Sequence, residues 1–547
     1  MPAFERFDLD GRAATPRQIS RRWREFHRQV RRASSSRVVR LVGPLLGDDT
    51  RRRRLAQRLR SDAPRVGVTE AEDVRVFPLD YVAAPRPFAS PTPVAEMSVA
   101  FVHAAPGDVD GLVDAFLRAL DTTSQWLLVV DEATSDDERR AVAAVLYQHR
   151  EGADVVFADE EGDVTNIPLL KPRVVGPHTM LSYNVVGRPA LLRREAVARV
   201  GGLRRDAGRA AEHDLYLRLL EADASFHHVT VVAPGRRVED RCDPELAEDT
   251  RRVVEAAFAR RGVAARVDTT SLASVVSWSP LLDRWPSIDI VIPTRDRVDL
   301  LRQCITSVEA SSYRNYTITI LDNSSRDPET LAYLASTSHR VVDCAGPFNY
   351  AAIINRGVGQ SDAQYVVTLN NDTIVRTGDW LERMVAVASL RDVGIVGVTL
   401  IDHLGVHEHD AVVIAPYPQH LRRGVNYLVD DESVVARRDV SAVTGAVQMF
   451  DRSLYLELGG MDETLAVVMN DVDLCLRSQV QGRHVVMLPD VVVSHFASSS
   501  RGRLDPIGDR DRFVRRWDVF GSLVDPYFPE ALRLYGQRMH YRASVSE

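Results

Sequence analysis

The sequence predicts an α/β protein of two related units in tandem, each built on a Rossmann-like, mixed and mostly parallel sheet. Three observations point there. From residue 97 onward, short apolar runs rich in β-branched residues alternate with amphipathic helical stretches, the pattern of strands joined by helical crossovers. Segments of the first series recur in the second. The central strands also stop abruptly at small polar side chains, as strands do where an open α/β sheet gathers ligands beyond its carboxyl ends. At 547 residues the chain exceeds a single core, so two or three domains are expected.

Taken in order, residues 1–93 read as a basic helical extension and linker. Residues 1–65 hold 18 Arg against seven acidic residues, a net +11 that leaves −18 for the remainder of a chain whose total is −7. Ile19, Trp23, Phe26 and Val30 place one apolar stripe on a basic helix. Such a leader suits an anionic membrane surface or a solvated helical face, and nothing beyond charge suggests a nucleic-acid module. Pro85–Pro93 reads as a linker. No apolar run approaches the ~18 residues needed to cross a bilayer, and the start of the chain lacks the apolar core of a signal peptide, so a cytoplasmic protein is expected. Four scattered cysteines without a CxxC pair suggest neither disulfides nor a zinc site.

The first unit, 94–280, opens with strand Ser98–His103, helix Asp108–Leu120, strand Trp126–Val130, helix Asp137–His149 and strand Asp154–Phe157. The second, 281–504, begins with strand Ile288–Pro293, helix Val298–Glu309, strand Thr317–Leu321 and helix Pro328–Ser336. This alternation implies a largely parallel, doubly wound sheet. Gln125–Thr134 parallels Gln364–Thr373, Gly201-Gly202 parallels Gly459-Gly460, and Glu212–Arg218 parallels Asp471–Arg477, so an internal duplication is expected. Residues 505–547 form a helical tail, with Asp511–Phe520 amphipathic and docked on the second unit.

Gln364–Thr373 is the stretch around which the chemistry is organised. Its buried-type strand Tyr365–Leu369 runs into Asn370, Asn371 and Asp372. Two residues apart on extended backbone, Asn370 and Asp372 point the same way and can offer oxygens to one hard divalent cation. Pro293-Thr-Arg295-Asp and Asp322-Asn-Ser-Ser terminate two neighbouring strands, and three such ends can hold a nucleotide.

Together Pro293–Asp296, Leu321–Ser325, Gly346–Tyr350, Leu369–Thr373, Thr444–Ala446, Leu458–Asp462, Asn470–Arg477 and Ser498–Gly502 resemble the family 2 glycosyltransferases, specifically the bacterial two-domain rhamnosyltransferase-like group that builds surface polysaccharides. The resemblance covers 285–530 strongly and 97–240 weakly. It implies tandem GT-A domains, a nucleotide-sugar donor, Mg²⁺ or Mn²⁺, inversion at the anomeric carbon, and a glycan or lipid-linked glycan acceptor at the inner membrane face. On it, Asn370, Asp372 and His495 stand at the metal positions and Asp471 at that of the general base, while Asp473 reads as a partner of Arg477. Pro293, Arg295, Asp322, Asn370, Asn371 and Arg501 fall on the donor side, and Thr444, Gly445 and Gly460 on the acceptor side. His409 occupies a family histidine position whose neighbours Glu408 and Asp410 depart from the pattern, and no role is assigned to it.

The first unit departs where it matters: Asp131-Glu132-Ala133 loses the second acid, Glu212 holds the base position, and Pro234 stands near the expected histidine. It is therefore expected to be degenerate and inactive. Two other readings remain: a nucleotidyltransferase that makes nucleotide-sugars, disfavoured by the lack of a Gly-rich triphosphate loop, and a non-catalytic glycan-binding scaffold of two decayed domains.

Overall fold

A computed structural model describes residues 97–541 except 105–107, 133, 162–168, 237–242, 416, 422–431, 433–434, 497–505, 531 and 536–537. The basic leader 1–93, Ala133 and Arg501 lie outside the described residues.

The first unit runs β1 (Val99–Val102), α1 (Val109–Leu120), β2 (Trp126–Val129), α2 (Asp136–Gln148), β3 (Val155–Glu161), α3 (Pro177–Met180), β4 (Ala190–Arg193), α4 (Arg194–Arg199), α5 (Ala211–Glu221), β5 (Phe226–Arg236) and α6 (Pro244–Arg260). Local chemistry sets the helix starts. Ser135 and Glu138 form a reciprocal capping box on α2, and Asp108 caps α1 by accepting from the Gly111 amide at 2.9 Å. A hairpin, β6 (Ala265–Thr269) and β7 (Val276–Pro280), leads into the second unit.

That unit runs β8 (Ile288–Thr294), α7 (Val298–Glu309), β9 (Tyr316–Asp322), α8 (Pro328–Ser336), β10 (Arg340–Asp343), α9 (Tyr350–Gly359), β11 (Tyr365–Leu369), β12 (Thr373–Val375), α10 (Trp380–Ala388) and β13 (Val393–Ile401). It continues with β14 (His407–His409), β15 (Val412–Ile414), β16 (Pro418–His420), β17 (Arg438–Asp439), β18 (Val447–Asp451), α11 (Arg452–Glu457), α12 (Asn470–Val480) and β19 (His484–His495), followed by tail helix α13 (Ile507–Trp517). Pro328 at the first turn and Asp327, whose carboxylate accepts from the Thr330 amide at 2.8 Å, start α8 where its sequence pattern begins.

The first sheet has the order β1-β2-β4-β3-β5, and the larger one contains the run β8-β11-β18-β13-β19. The pairing senses match position by position: the outer pairs are parallel, whereas β4 and β18 run antiparallel to both neighbours. The sheets are thus mixed at their centres rather than doubly wound throughout. In the second unit β18 arrives from a long excursion after β13 instead of a helical crossover, and so can enter in the opposite direction. Every residue of β11 is buried, as befits a strand covered on both faces. One apolar core runs from Val102 through Trp278 of the hairpin to Val493, joining the two units. No helix among the described residues is long and apolar enough to cross a membrane.

Candidate active site

The site lies where β11 gives out. Asn370, Asn371 and Asp372 are all buried, although none of them is an apolar residue, and each is held by a different neighbour. The Asn370 amide donates to the Ala446 carbonyl at 3.0 Å. The Asn371 side-chain amide donates to Oγ1 of Thr294, at the end of β8, at 3.1 Å. Asp372 enters β12, whose antiparallel pairing sets Thr373 opposite His495, and its carbonyl accepts from the Phe496 amide at 2.9 Å.

This pairing delivers the His495 ring to Asp372, with Nε2 3.5 Å from Oδ1. That is too long for a hydrogen bond, and Oδ1 of Asp372 is buried without a hydrogen-bond partner among the described residues. The opposite ring nitrogen, Nδ1, lies 3.0 Å from Glu408 on β14. Burial alone would lower the imidazole's pKa, but the two flanking carboxylates outweigh it and raise the value to about 9. An orphaned carboxylate oxygen beside a histidine nitrogen is a donor pair that fits a divalent cation. Glu408 supplies the outer carboxylate that fixes such a ring's tautomer and orientation. Glu408 had no assigned role in the sequence; only its place beside the histidine at 409 hinted at the site.

Asp471 approaches from α12. The helix begins at Asn470 after Met469 in a left-handed turn at φ 68°, with no side-chain cap, so Asp471 is not the N-cap. Its Oδ2 instead accepts the Gly445 amide at 2.8 Å. Gly445 is in turn fixed through its carbonyl by the Tyr350 hydroxyl at 2.7 Å and Thr368 Oγ1 at 2.9 Å. Gly445 and Ala446 therefore connect Asp471 to the end of β11: one binds Asp471 and the next binds Asn370. Thr444 sits beside them, its amide facing Nε2 of His409 at 3.3 Å.

The remaining sequence-predicted residues are more dispersed. Asp322 at the end of β9 accepts from the Ser325 amide at 3.2 Å, closing its own turn. Pro293 is partly buried and Arg295 exposed. Gly460 belongs to a framework knot: Arg477 donates to its carbonyl at 2.7 Å and to Asp473 at 2.8 Å. Arg297, at the start of α7, was not singled out by the sequence; it pairs with Asp299 at 2.9 Å and feels the charge of Asp372.

In the first unit the strand register aligns Trp126 with Arg193, as Tyr365 aligns with Asp451. Counting back along the two strands puts Arg188 at the place of Ala446. Its guanidinium bridges Asp131 at 3.2 Å and grips Glu212 at 2.9 and 2.6 Å. A cation of the chain itself thus joins the groups aligned with Asn370 and Asp471. The framework knot is repeated, with Arg218 bound to Asp214 and Gly202, each at 2.7 Å.

A family model described as Glycosyl transferase family 2 matches residues 289–455. The chain carries a family 2 glycosyltransferase domain. The match begins in β8 and ends in α11, so the family 2 domain includes the Asn370–Asp372 strand end and the Thr444–Ala446 loop. The O-antigen biosynthesis protein RfbC of Myxococcus xanthus is 32% identical over 441 residues, covering 77% of this chain and 34% of that protein. The uncharacterized protein y4gI of Sinorhizobium fredii is 29% identical over 451 residues, 75% of this chain and 48% of that one. The chain spans between a third and a half of the length of these relatives. Among solved structures, GalNAc-T7 with UDP, GalNAc and Mn²⁺ aligns at a TM-score of 0.36 and 14% identity, covering 67% of this chain and 63% of that one. The mannosyltransferase PcManGT from Pyrobaculum calidifontis, in complex with GDP-Man and Mn²⁺, gives 0.31 and 16%, covering 44% and 63%. Likeness at that level decides nothing about the family 2 domain here.

Proposed function

We propose that the second unit transfers a sugar from a nucleoside-diphosphate sugar to a hydroxyl of a glycan or lipid-linked acceptor in surface polysaccharide synthesis, with inversion. The observation that carries this reading is the bonding of Asp471 and Asn370 to adjacent residues, Gly445 and Ala446. It supports one hollow with a proton acceptor on one wall and the metal-side residues on the other.

Asp471 takes the proton of the acceptor hydroxyl as its oxygen attacks the anomeric carbon and the bond to the diphosphate breaks. A base so placed contributes typically about 10²–10⁴-fold, and direct attack from the face opposite the leaving group inverts the centre. Asp372 and His495 would hold Mg²⁺ or Mn²⁺, with Asn370 as a neutral third donor. Such a cation supplies charge neutralisation for the departing diphosphate. Arg297 adds a positive side chain near Asp372.

The first unit we read as a catalytically silent copy. The shared strand order supports duplication, and the Arg188 bridge supports loss of ligand binding.

The test is nucleoside diphosphate release from a panel of nucleotide-sugars with Mn²⁺. Asp471→Asn is expected to stop release while donor binding persists, and Asp372→Ala to weaken donor and Mn²⁺ together. Pyrophosphate as product would replace this reading with nucleotidyl transfer. Unchanged release in Asp471→Asn would remove the assigned base.

A further inference from the structure

Away from the sugar site, two histidines and an aspartate from the two units meet at their junction. His178 lies in α3 of the first unit; Asp439 in β17 and His484 at the start of β19 belong to the second. Nδ1 of His178 is 2.8 Å from Oδ1 of Asp439, and Nδ1 of His484 is 3.1 Å from the same oxygen. The three ligand atoms all fall within 4.8 Å of one another. We propose that these residues form a second divalent-cation site, of the nitrogen-rich kind that takes Zn²⁺, which ties the first unit to the second.

Four features carry the proposal. The donor set is two imidazoles and one carboxylate, which suits Zn²⁺ better than the oxygen-seeking Mg²⁺. Ligand atoms about 2.0–2.1 Å from a tetrahedral ion stand roughly 3.3 Å apart; the observed separations from Oδ1 are 2.8 and 3.1 Å and the ring nitrogens lie within 4.8 Å of each other, so binding asks for an adjustment of the two rings. The outer contacts are also those of a metal site. The other Asp439 oxygen, Oδ2, accepts the His178 and Thr179 amides at 2.9 Å each and the Thr179 hydroxyl at 3.1 Å, which orients the carboxylate and leaves Oδ1 for the ion. Nε2 of His178 faces Asp392 at 3.5 Å, the carboxylate–imidazole relay that steadies a metal-bound ring.

Charge and space agree. Asp439, 0% exposed, places a carboxylate charge in the buried junction beside the buried His178 ring, with half-exposed Asp392 at its edge; a divalent cation balances that charge. A cavity of about 50 Å³ lined in part by Thr179, Asp439 and Tyr527 lies on the Asp439 side of the cluster. The His484 side chain is 26% exposed and marks the way in from solvent. The inference stands independently of sugar transfer, because its residues lie outside the Asp372 site and its test reads metal binding with that site disabled.

The experiment uses the full chain carrying Asp372→Ala, which removes the sugar-site carboxylate, and titrates it with Co²⁺ alone. Tetrahedral coordination is read from the visible absorption bands of the ion. One equivalent is expected to bind, and adding His484→Ala is expected to weaken that binding by at least about tenfold. Because His484 is partly exposed, this variant should keep its fold, which circular dichroism checks. In parallel, Zn²⁺ should raise the melting temperature of Asp372→Ala by more than that of the double variant at the same concentration. Absence of stoichiometric binding to Asp372→Ala, or equal binding by both variants, would overturn the proposal and leave a junction held by ion pairs alone.

Discussion

Glu408 lies 3.0 Å from Nδ1 of His495, on the side of the ring away from Asp372. The contact holds the second ring nitrogen toward Asp372, so Glu408 would act through the histidine on a cation held there. Glu408→Gln keeps the size of the side chain and removes its charge. Outer carboxylates of this kind typically account for 10–100-fold in metal affinity, so Mn²⁺ should bind about that much more weakly, with turnover recovering at saturating Mn²⁺. Calorimetric titration of Mn²⁺ checks it; an affinity matching the parent would show that His495 needs no such support.

Gly445 offers a finer probe of Asp471. A methyl group built there would come 3.2 Å from Cβ of Asp471 and 3.5 Å from the Tyr350 ring, close enough to push the carboxylate a few tenths of an ångström from its place. Misplacement on the scale of 1 Å can cost about 10²-fold, so Gly445→Ala should lower kcat by roughly tenfold while the KM for donor stays within about twofold. If kcat is untouched, the carboxylate that takes the proton is not Asp471.

How much of this was legible follows from the range of each interaction. Helices α7 and α8 coincide with their sequence patterns because amphipathic spacing, and for α8 an Asp-Pro start, act over a few residues. The Asn370–Asp372 strand end was legible for the same reason. The direction of β18 was not: Val447–Phe450 is buried throughout, and a buried strand reads alike in either sense. Glu408 and His495 are 87 residues apart, and His178 and Asp439 are 261 apart. Such pairs are set by sheet order and by the packing of one unit on the other, and no spacing rule reaches them.

Arg188 and Glu212 make the silence of the first unit testable. The guanidinium and carboxylate are each 17% exposed and tightly paired. Glu212→Gln should therefore leave nucleoside diphosphate release within about twofold of the parent, yet lower stability by on the order of 2 kcal/mol, since Arg188 loses the closer of its two charged partners and keeps only Asp131. Denaturant unfolding and the release assay separate the two effects. Loss of transfer in a folded Glu212→Gln protein, with Asp471 intact, would mean that the first unit takes part in the reaction.

Asp490 sets the acid limit of the junction. It receives Arg437 at 2.6 Å and Arg383 at 2.9 Å, and the Arg437 backbone carbonyl accepts from Ser182 of the first unit at 2.6 Å. Burial by itself would raise the Asp490 carboxyl, but the two guanidinium groups outweigh it and hold the value below the usual range. A carboxylate depressed in the folded state contributes stability above its unfolded value of about 3.9, and that contribution is lost as pH falls through the folded value. Asp490→Asn leaves Arg437, whose side chain is 3% exposed, without its main partner and should cost on the order of 3 kcal/mol at neutral pH. Toward acid the parent gives up the same contribution, so the two stability curves should converge below about pH 4. Denaturant unfolding across that range would expose the error if the gap between them stayed constant.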